Sequence, residues 1–217
     1  MKKLATSYKA HFSQKNYIWS IVVAIAIFIV SLIINYYAGT YATEKASSPV
    51  TDIILSNTRV YDVDIMFVYG AVVMVSAIAI LCLAKPERLP FVLKNISLFV
   101  LVRSMFIVMT HLGPFPTQTD VSPFNVISSF SFGGDLFFSG HTGLPFLMAL
   151  SFWHNKILRY MFIVISIFFA IVVLLGHLHY TIDVASAFFI TYGIHQISKI
   201  FFKKDHDRMI QTIAVIN

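Results

Sequence analysis

Residues 18–38 read IWSIVVAIAIFIVSLIINYYA, a run without a single charged side chain. About 20 apolar residues are enough to cross the hydrocarbon core of a bilayer, and this stretch reaches that length alone. Hydrocarbon offers no water to satisfy backbone N–H and C=O groups, so a run of this kind has to be helical. Extending it to its apolar edge and searching for others gives six candidate spans: 18–41, 65–84, 91–112, 136–153, 157–176 and 180–202. The expected fold is therefore all-α, a polytopic integral membrane protein built as a bundle of six transmembrane helices.

Composition agrees with this reading. Of the 217 residues 58% are hydrophobic and 12% charged, with mean hydropathy +0.78, whereas soluble domains carry about a quarter charged residues. Spans and short connections use up the chain, so any chemistry belongs in the bundle or at its rim. Three segments result: a basic N-terminus over 1–17, the bundle over 18–202, and a tail over 203–217 to which the sequence assigns no role. The first apolar run is longer than the roughly 7–15 residues of a signal-peptide core. It reads as a retained span, although Thr40-Tyr41-Ala42 resembles a weak cleavage site.

The formal charge of +6 could point to nucleic acid, but the basic residues are distributed as topology requires. Lys2, Lys3, Lys9, Lys15, Lys85, Arg88, Lys94, Lys156, Arg159, Lys199, Lys203, Lys204 and Arg208 fall on one side of the alternating spans, and Lys45 and Arg59 on the other. The positive-inside rule then places both termini in the cytoplasm. No nucleic-acid partner is needed. The only cysteine, Cys82, sits in an apolar run and can form neither an internal disulfide nor a metal site.

On the opposite side lie two longer connections. Residues 42–64 collect Glu44, Asp52, Asp62 and Asp64; residues 113–135 hold Pro114, Pro116 and Pro123 with Phe115, Phe124, Phe130 and Phe132. The second could be a lid over a lipid headgroup or a loop resting in the interface. Two polar segments open onto this side: Gly133-Gly134-Asp135-Leu136-Phe137-Phe138-Ser139-Gly140-His141-Thr142 and His177-Leu178-His179-Tyr180-Thr181-Ile182-Asp183-Val184. Two spans separate them, so the chain returns to the same face, which is periplasmic, extracellular or lumenal in the orientation above.

Their chemistry follows from spacing. His179 and Asp183, four apart, would share one helical face. A carboxylate on one imidazole nitrogen fixes the tautomer and frees the other nitrogen to attack phosphorus as a nucleophile. His141 is then the general acid and base. Ser139 and Gly140 bring amides of a helix start that suit a phosphate. Arg103, the one basic residue well inside a span, could neutralise that phosphate or pair with Asp62, Asp64 or Asp135. Asp135 could orient a site residue or cap the fourth span, and Tyr180 and Thr181 could line the pocket. Ionisable groups within spans are costly and mark function by default. His177 is read as an interface residue, and His11, His154, His195 and His206 as solvated surface. A zinc site on His141, His177, His179 and Asp183 is the weaker alternative, since it leaves the Ser139-Gly140 segment unexplained; no metal or other cofactor is expected. A non-catalytic transporter or scaffold whose polar residues line a cavity is the alternative from another class.

The two segments resemble the motifs of the sphingomyelin synthase family, a branch of the type 2 phosphatidic acid phosphatase superfamily. Gly134-Asp135 and Ser139-Gly140-His141-Thr142 match one motif. His179-Tyr180-Thr181-Ile182-Asp183-Val184, followed by Phe188-Phe189 and Thr191, matches another, and Arg103 with Thr110 and Leu112 resembles the arginine motif of the third span. Gly133 replaces the family's cysteine, the proline-rich first motif is missing before span two, and Val173 stands where the wider superfamily has an arginine. The resemblance implies six spans and a phosphotransferase using His141, His179 and Asp183. Its donor would be a phospholipid and its acceptor a lipid alcohol such as a ceramide. With water as acceptor the same centre would act as a lipid phosphatase or a phospholipase C-type hydrolase.

Overall fold

The computed structural model describes residues 2–119 and 134–214. Among these described residues eight α-helices follow in order: α1 (Lys2–Phe12), α2 (Lys15–Glu44), α3 (Asp64–Leu83), α4 (Leu89–Met109), α5 (Gly140–Ser151), α6 (Lys156–Leu175), α7 (Thr181–Phe201) and α8 (Lys203–Ala214). No strand occurs among the described residues. The proline- and phenylalanine-rich connection is described only in part: Pro123, Phe124, Phe130 and Phe132 lie outside the described residues, and so does Gly133.

Among the described residues four helical stretches are long and apolar enough to cross a membrane: Lys15–Glu44, Asp64–Leu83, Pro86–Met109 and Lys156–Leu175. Many of their large apolar side chains face outward, Trp19 and Val73 among them, a pattern that suits lipid and not water. The fourth and sixth expected spans differ. The helix of the fourth begins at Gly140, four residues later than the apolar pattern suggested, and has 12 residues. That is about 18 Å, short of the roughly 30 Å hydrocarbon core. Its start is set by tertiary contacts that hold Asp135 and Phe138 in a non-helical path. The sixth, α7, has 21 residues but carries Asp183, His195, Gln196 and Lys199, which make it more polar than the other four.

The most buried of the long helices is α4, and α2 packs along it. The buried face of α2 includes Ala24, Ser31, Ala38, Gly39 and Ala42, small residues that let two helix backbones approach closely. α5 packs against α6 and α7, and both α5 and α7 also meet α4.

One end of the bundle gathers α1, α8 and the Pro86–Arg88 turn. There the Asp205 carboxylate accepts hydrogen bonds from Ser20 (2.7 and 2.8 Å), Lys94 Nζ (2.6 Å) and Arg208 (3.0 Å), while the Tyr17 hydroxyl donates to Pro86 O at 2.7 Å. These bonds give the tail a structural role that its sequence did not disclose. His195, expected on the surface, is buried, with Asn95 Nδ2 3.2 Å from its Nδ1. The helix face it occupies turns inward against α4.

Candidate functional site

At the other end of the bundle the connections after α2, α4 and α6 meet. Asp183 occupies the third position of α7, and its Oδ2 accepts the N–H of the N-cap residue Tyr180 at 2.9 Å, the carboxylate half of a capping box. The same oxygen lies 3.5 Å from His179 Nδ1. The pairing is thus real, but its geometry is not that of two residues on one helical face. His179 precedes the helix, and the aspartate reaches back over the helix start to meet it. Both residues are buried, and His179 Nδ1 and Asp183 Oδ1 have no hydrogen-bond partner among the described residues.

His141 is the second residue of α5, whose N-cap is Ser139. Its ring stacks on Phe67 with centroids 3.9 Å apart and planes at 27°, and lies 5.5 Å from the ring of Phe169. Aromatic faces of this kind hold an imidazole in one orientation without consuming its nitrogens. Arg103 comes across from α4. Its Nε donates to Phe138 O at 2.9 Å, and its Nη2 to Asp135 O at 2.6 Å and to Asp135 Oδ2 at 3.0 Å. Of the three carboxylates considered for it, the partner is Asp135. Asp135 does not cap α5. The arginine therefore fastens the strap that leads into α5, and Gly140 leaves room for it: a Cβ there would stand 3.3 Å from Arg103 Nε.

Arg103, Asp135, Gly140, His141 and His179 line one cavity of about 860 Å³. Most of the remaining lining is apolar, with Leu32 from α2, Phe67, Met74 and Val75 from α3, and Ile96 and Phe99 from α4; Asn35, Gln118 and Thr119 add polar groups. The amides of Gly140 and His141 have no backbone acceptor within α5 and point to a positive helix end beside the histidines.

Three expected pocket residues are committed elsewhere. The Ser139 N–H donates to Asp183 O at 3.2 Å, and its hydroxyl caps α5 by accepting from Thr142 N at 3.4 Å. Tyr180 donates its hydroxyl to Gly113 O at 2.8 Å and accepts from Val50 N at 3.2 Å. Thr181 is held by Asp52, whose carboxylate accepts its N–H and its hydroxyl, both at 2.7 Å. None of the three lines the cavity.

Asp52 is the residue that the sequence concealed. Besides Thr181 it accepts from Ile54 N at 2.9 Å and Leu55 N at 3.0 Å, so it sits at the N-terminus of α7 as an external cap. Burial alone would raise its pKa, but these hydrogen bonds win and hold the carboxyl below the usual carboxylate range. His177 does not join the other two histidines. It has a positive φ of 53°, its Nδ1 lies 2.6 Å from Thr117 Oγ1, and its ring meets Phe115 edge-on at 5.4 Å. Burial depresses its pKa, and the charge of Asp52 only partly opposes this. Among the described residues no group of three or more His, Cys, Asp or Glu side chains is placed to hold a metal ion.

A family model described as PAP2 superfamily C-terminal matches residues 133–200. This is the part of the chain that carries His141, His179 and Asp183. The match supports the PAP2 superfamily and, with the apolar helices, a multi-pass membrane enzyme of the lipid phosphatase or phosphotransferase type. No curated protein and no solved structure matches the chain.

Proposed function

We propose that the protein is a lipid phosphotransferase that moves a phospho-alcohol headgroup from a phospholipid to a lipid alcohol, through a phosphohistidine intermediate. The observation that carries this reading is the convergence of His179, His141 and Arg103 on one cavity whose remaining lining is mostly apolar. A phosphate at these three side chains, with acyl chains along Phe67, Met74 and Ile96, uses both kinds of lining.

In this scheme Asp183 holds the Nδ1 proton of His179, so Nε2 carries the lone pair and attacks phosphorus. The bond between phosphorus and the lipid alkoxide oxygen breaks, and His141 gives that oxygen its proton. An acceptor hydroxyl, deprotonated by His141, then attacks the phosphohistidine and restores His179. Charge favours a phosphodiester over a phosphomonoester substrate. Among the described residues lining the cavity, Arg103 is the one arginine or lysine, and it is already shared with Asp135, which leaves little positive charge for a dianion.

The six-helix arrangement would have α5 and α7 cross together with α2, α3, α4 and α6, with both termini cytoplasmic and the site facing the periplasm, exterior or lumen. A ceramide-like or diacylglycerol-like alcohol is the acceptor we favour, as in the sphingomyelin synthase branch. Water as acceptor, giving a phosphatase or phospholipase C-type hydrolase, is the second reading, supported by a family match that reaches only the superfamily. The test is turnover of fluorescent phospholipids by purified protein, with ceramide, diacylglycerol or no added alcohol. We expect product that depends on His179 and on the added alcohol. Product that persists in full in His179→Ala would refute the catalytic reading, and product indifferent to the alcohol would select hydrolysis.

A further inference from the structure

The two histidines of the site are held in different ways. His179 faces the Asp183 carboxylate at 3.5 Å. Among the described residues neither ring nitrogen of His141 has a hydrogen-bond partner; the charged or titratable groups it feels are His179 and Arg103. A catalytic imidazole is ordinarily oriented by a hydrogen bond to its second nitrogen, and here that bond is missing. The main chain at His141 is fixed, since Ser139 caps α5 and Ser166 Oγ donates to Thr142 O at 2.7 Å. Those bonds end at the backbone and leave the ring free to turn about χ1 and χ2.

What holds the ring is aromatic. Phe67 of α3 stacks on it with centroids 3.9 Å apart and planes at 27°, and Phe169 of α6 flanks it at 5.5 Å. Gly70, one turn after Phe67, lets α3 lie close to that second ring: a Cβ there would stand 3.1 Å from Phe169 Cζ. Stacking covers the face of the imidazole and leaves its edge, where both nitrogens lie, open to a reacting oxygen.

We propose that Phe67 is a positioning residue that orients the His141 ring for proton transfer to the leaving oxygen. The inference rests on the reading of His141 as general acid and base. It adds that the orienting group is an aromatic ring on α3, so that the packing of this helix sets the rate of the chemical step.

The test separates bond breaking that needs the proton from bond breaking that does not. Full-length, detergent-solubilised protein, in excess over substrate, is followed through the first turnover with fluorescent phosphatidylcholine and with nitrophenyl phosphocholine. The first substrate loses a diacylglycerol oxygen that must gain a proton as its bond to phosphorus breaks; the second loses nitrophenolate, which departs as an anion. Phe67→Leu should slow release from phosphatidylcholine by roughly 10- to 100-fold and leave nitrophenolate release within about threefold of wild type. Phe67→Tyr, which keeps a ring face, should retain most of the wild-type rate with both substrates. In a His141→Ala background Phe67→Leu should cause no further loss. Should Phe67→Leu fail to fold, Phe67→Met carries the same expectations. Equal losses with the two substrates, a loss that adds in full to that of His141→Ala, or a wild-type rate in Phe67→Leu would each overturn the proposal. Failure of the functional reading looks different: release from phosphatidylcholine would then survive His179→Ala.

Discussion

One carboxylate oxygen of Asp183 serves two neighbours. Its Oδ2 caps α7 by accepting the Tyr180 N–H at 2.9 Å and also faces His179 Nδ1 at 3.5 Å. In Asp183→Asn the amide oxygen can take the same place, so Tyr180 keeps its acceptor and His179 Nδ1 still faces an oxygen. The hydrogen bond to Tyr180 loses its charge, which should cost about 1 kcal/mol. What disappears is the negative charge that, in the proposed scheme, stabilises His179 as it becomes bonded to phosphorus. We expect a loss of about 10²–10³ in kcat, or about 3–4 kcal/mol of transition-state stabilisation. Asp183→Ala should be as inactive and should also lose about 1–2 kcal/mol of cap stability. The assay is steady-state turnover of a fluorescent phospholipid in detergent, with the unfolding temperature measured on the same preparations. A kcat for Asp183→Asn within about tenfold of wild type would refute the role assigned to the Asp183 charge. So would a loss of activity that merely follows a loss of stability.

Asp52→Ala removes the external cap of α7 and should destabilise the protein by about 1–2 kcal/mol and lower kcat more than it changes KM, since it disturbs the support of His179 and not the lipid wall. Detergent unfolding and a kcat/KM series check this. Arg103→Gln should reduce kcat/KM by about 10²–10³, and Arg103→Lys should not restore it, because an ammonium cannot span Phe138 O, Asp135 O and the Asp135 carboxylate as a guanidinium does. His177 titrates in the folded protein below its ordinary value of about 6.5 because it is buried. The unfolded chain therefore takes up the proton first. Its contribution is intact above about pH 6.5 and is lost as pH falls through the depressed folded value; thermal unfolding followed downward from neutral pH should show this loss, and His177→Asn should reduce it.

The parts of the fold that were legible in the sequence are those set by local composition. The apolar runs of α2, α3 and α6 exceed what any soluble helix would need, and their bounds fall within a few residues of the observed ones. The start of α5 was not legible, because Arg103 holds Asp135 and Phe138 from another helix. The pairing of His179 with Asp183 could be read from their spacing, although that spacing works through a helix cap. Asp52 was hidden among four acidic residues of one connection, since its partner Thr181 lies 129 positions away in the chain. Phe67, which stacks on His141, looked like any apolar residue of a span. Likewise the buried ion pair of Lys94 with Asp205 joins two residues that read separately as a topology signal and a charged tail.

If the headgroup passes through His179, it can be trapped there. Protein mixed with a phospholipid carrying a labelled headgroup phosphate, then quenched in base within the turnover time, should hold acid-labile label on His179. The label should be absent in His179→Gln. It should accumulate when no acceptor alcohol is supplied. Label on another residue, or turnover with no covalent label at any time point, would contradict the account.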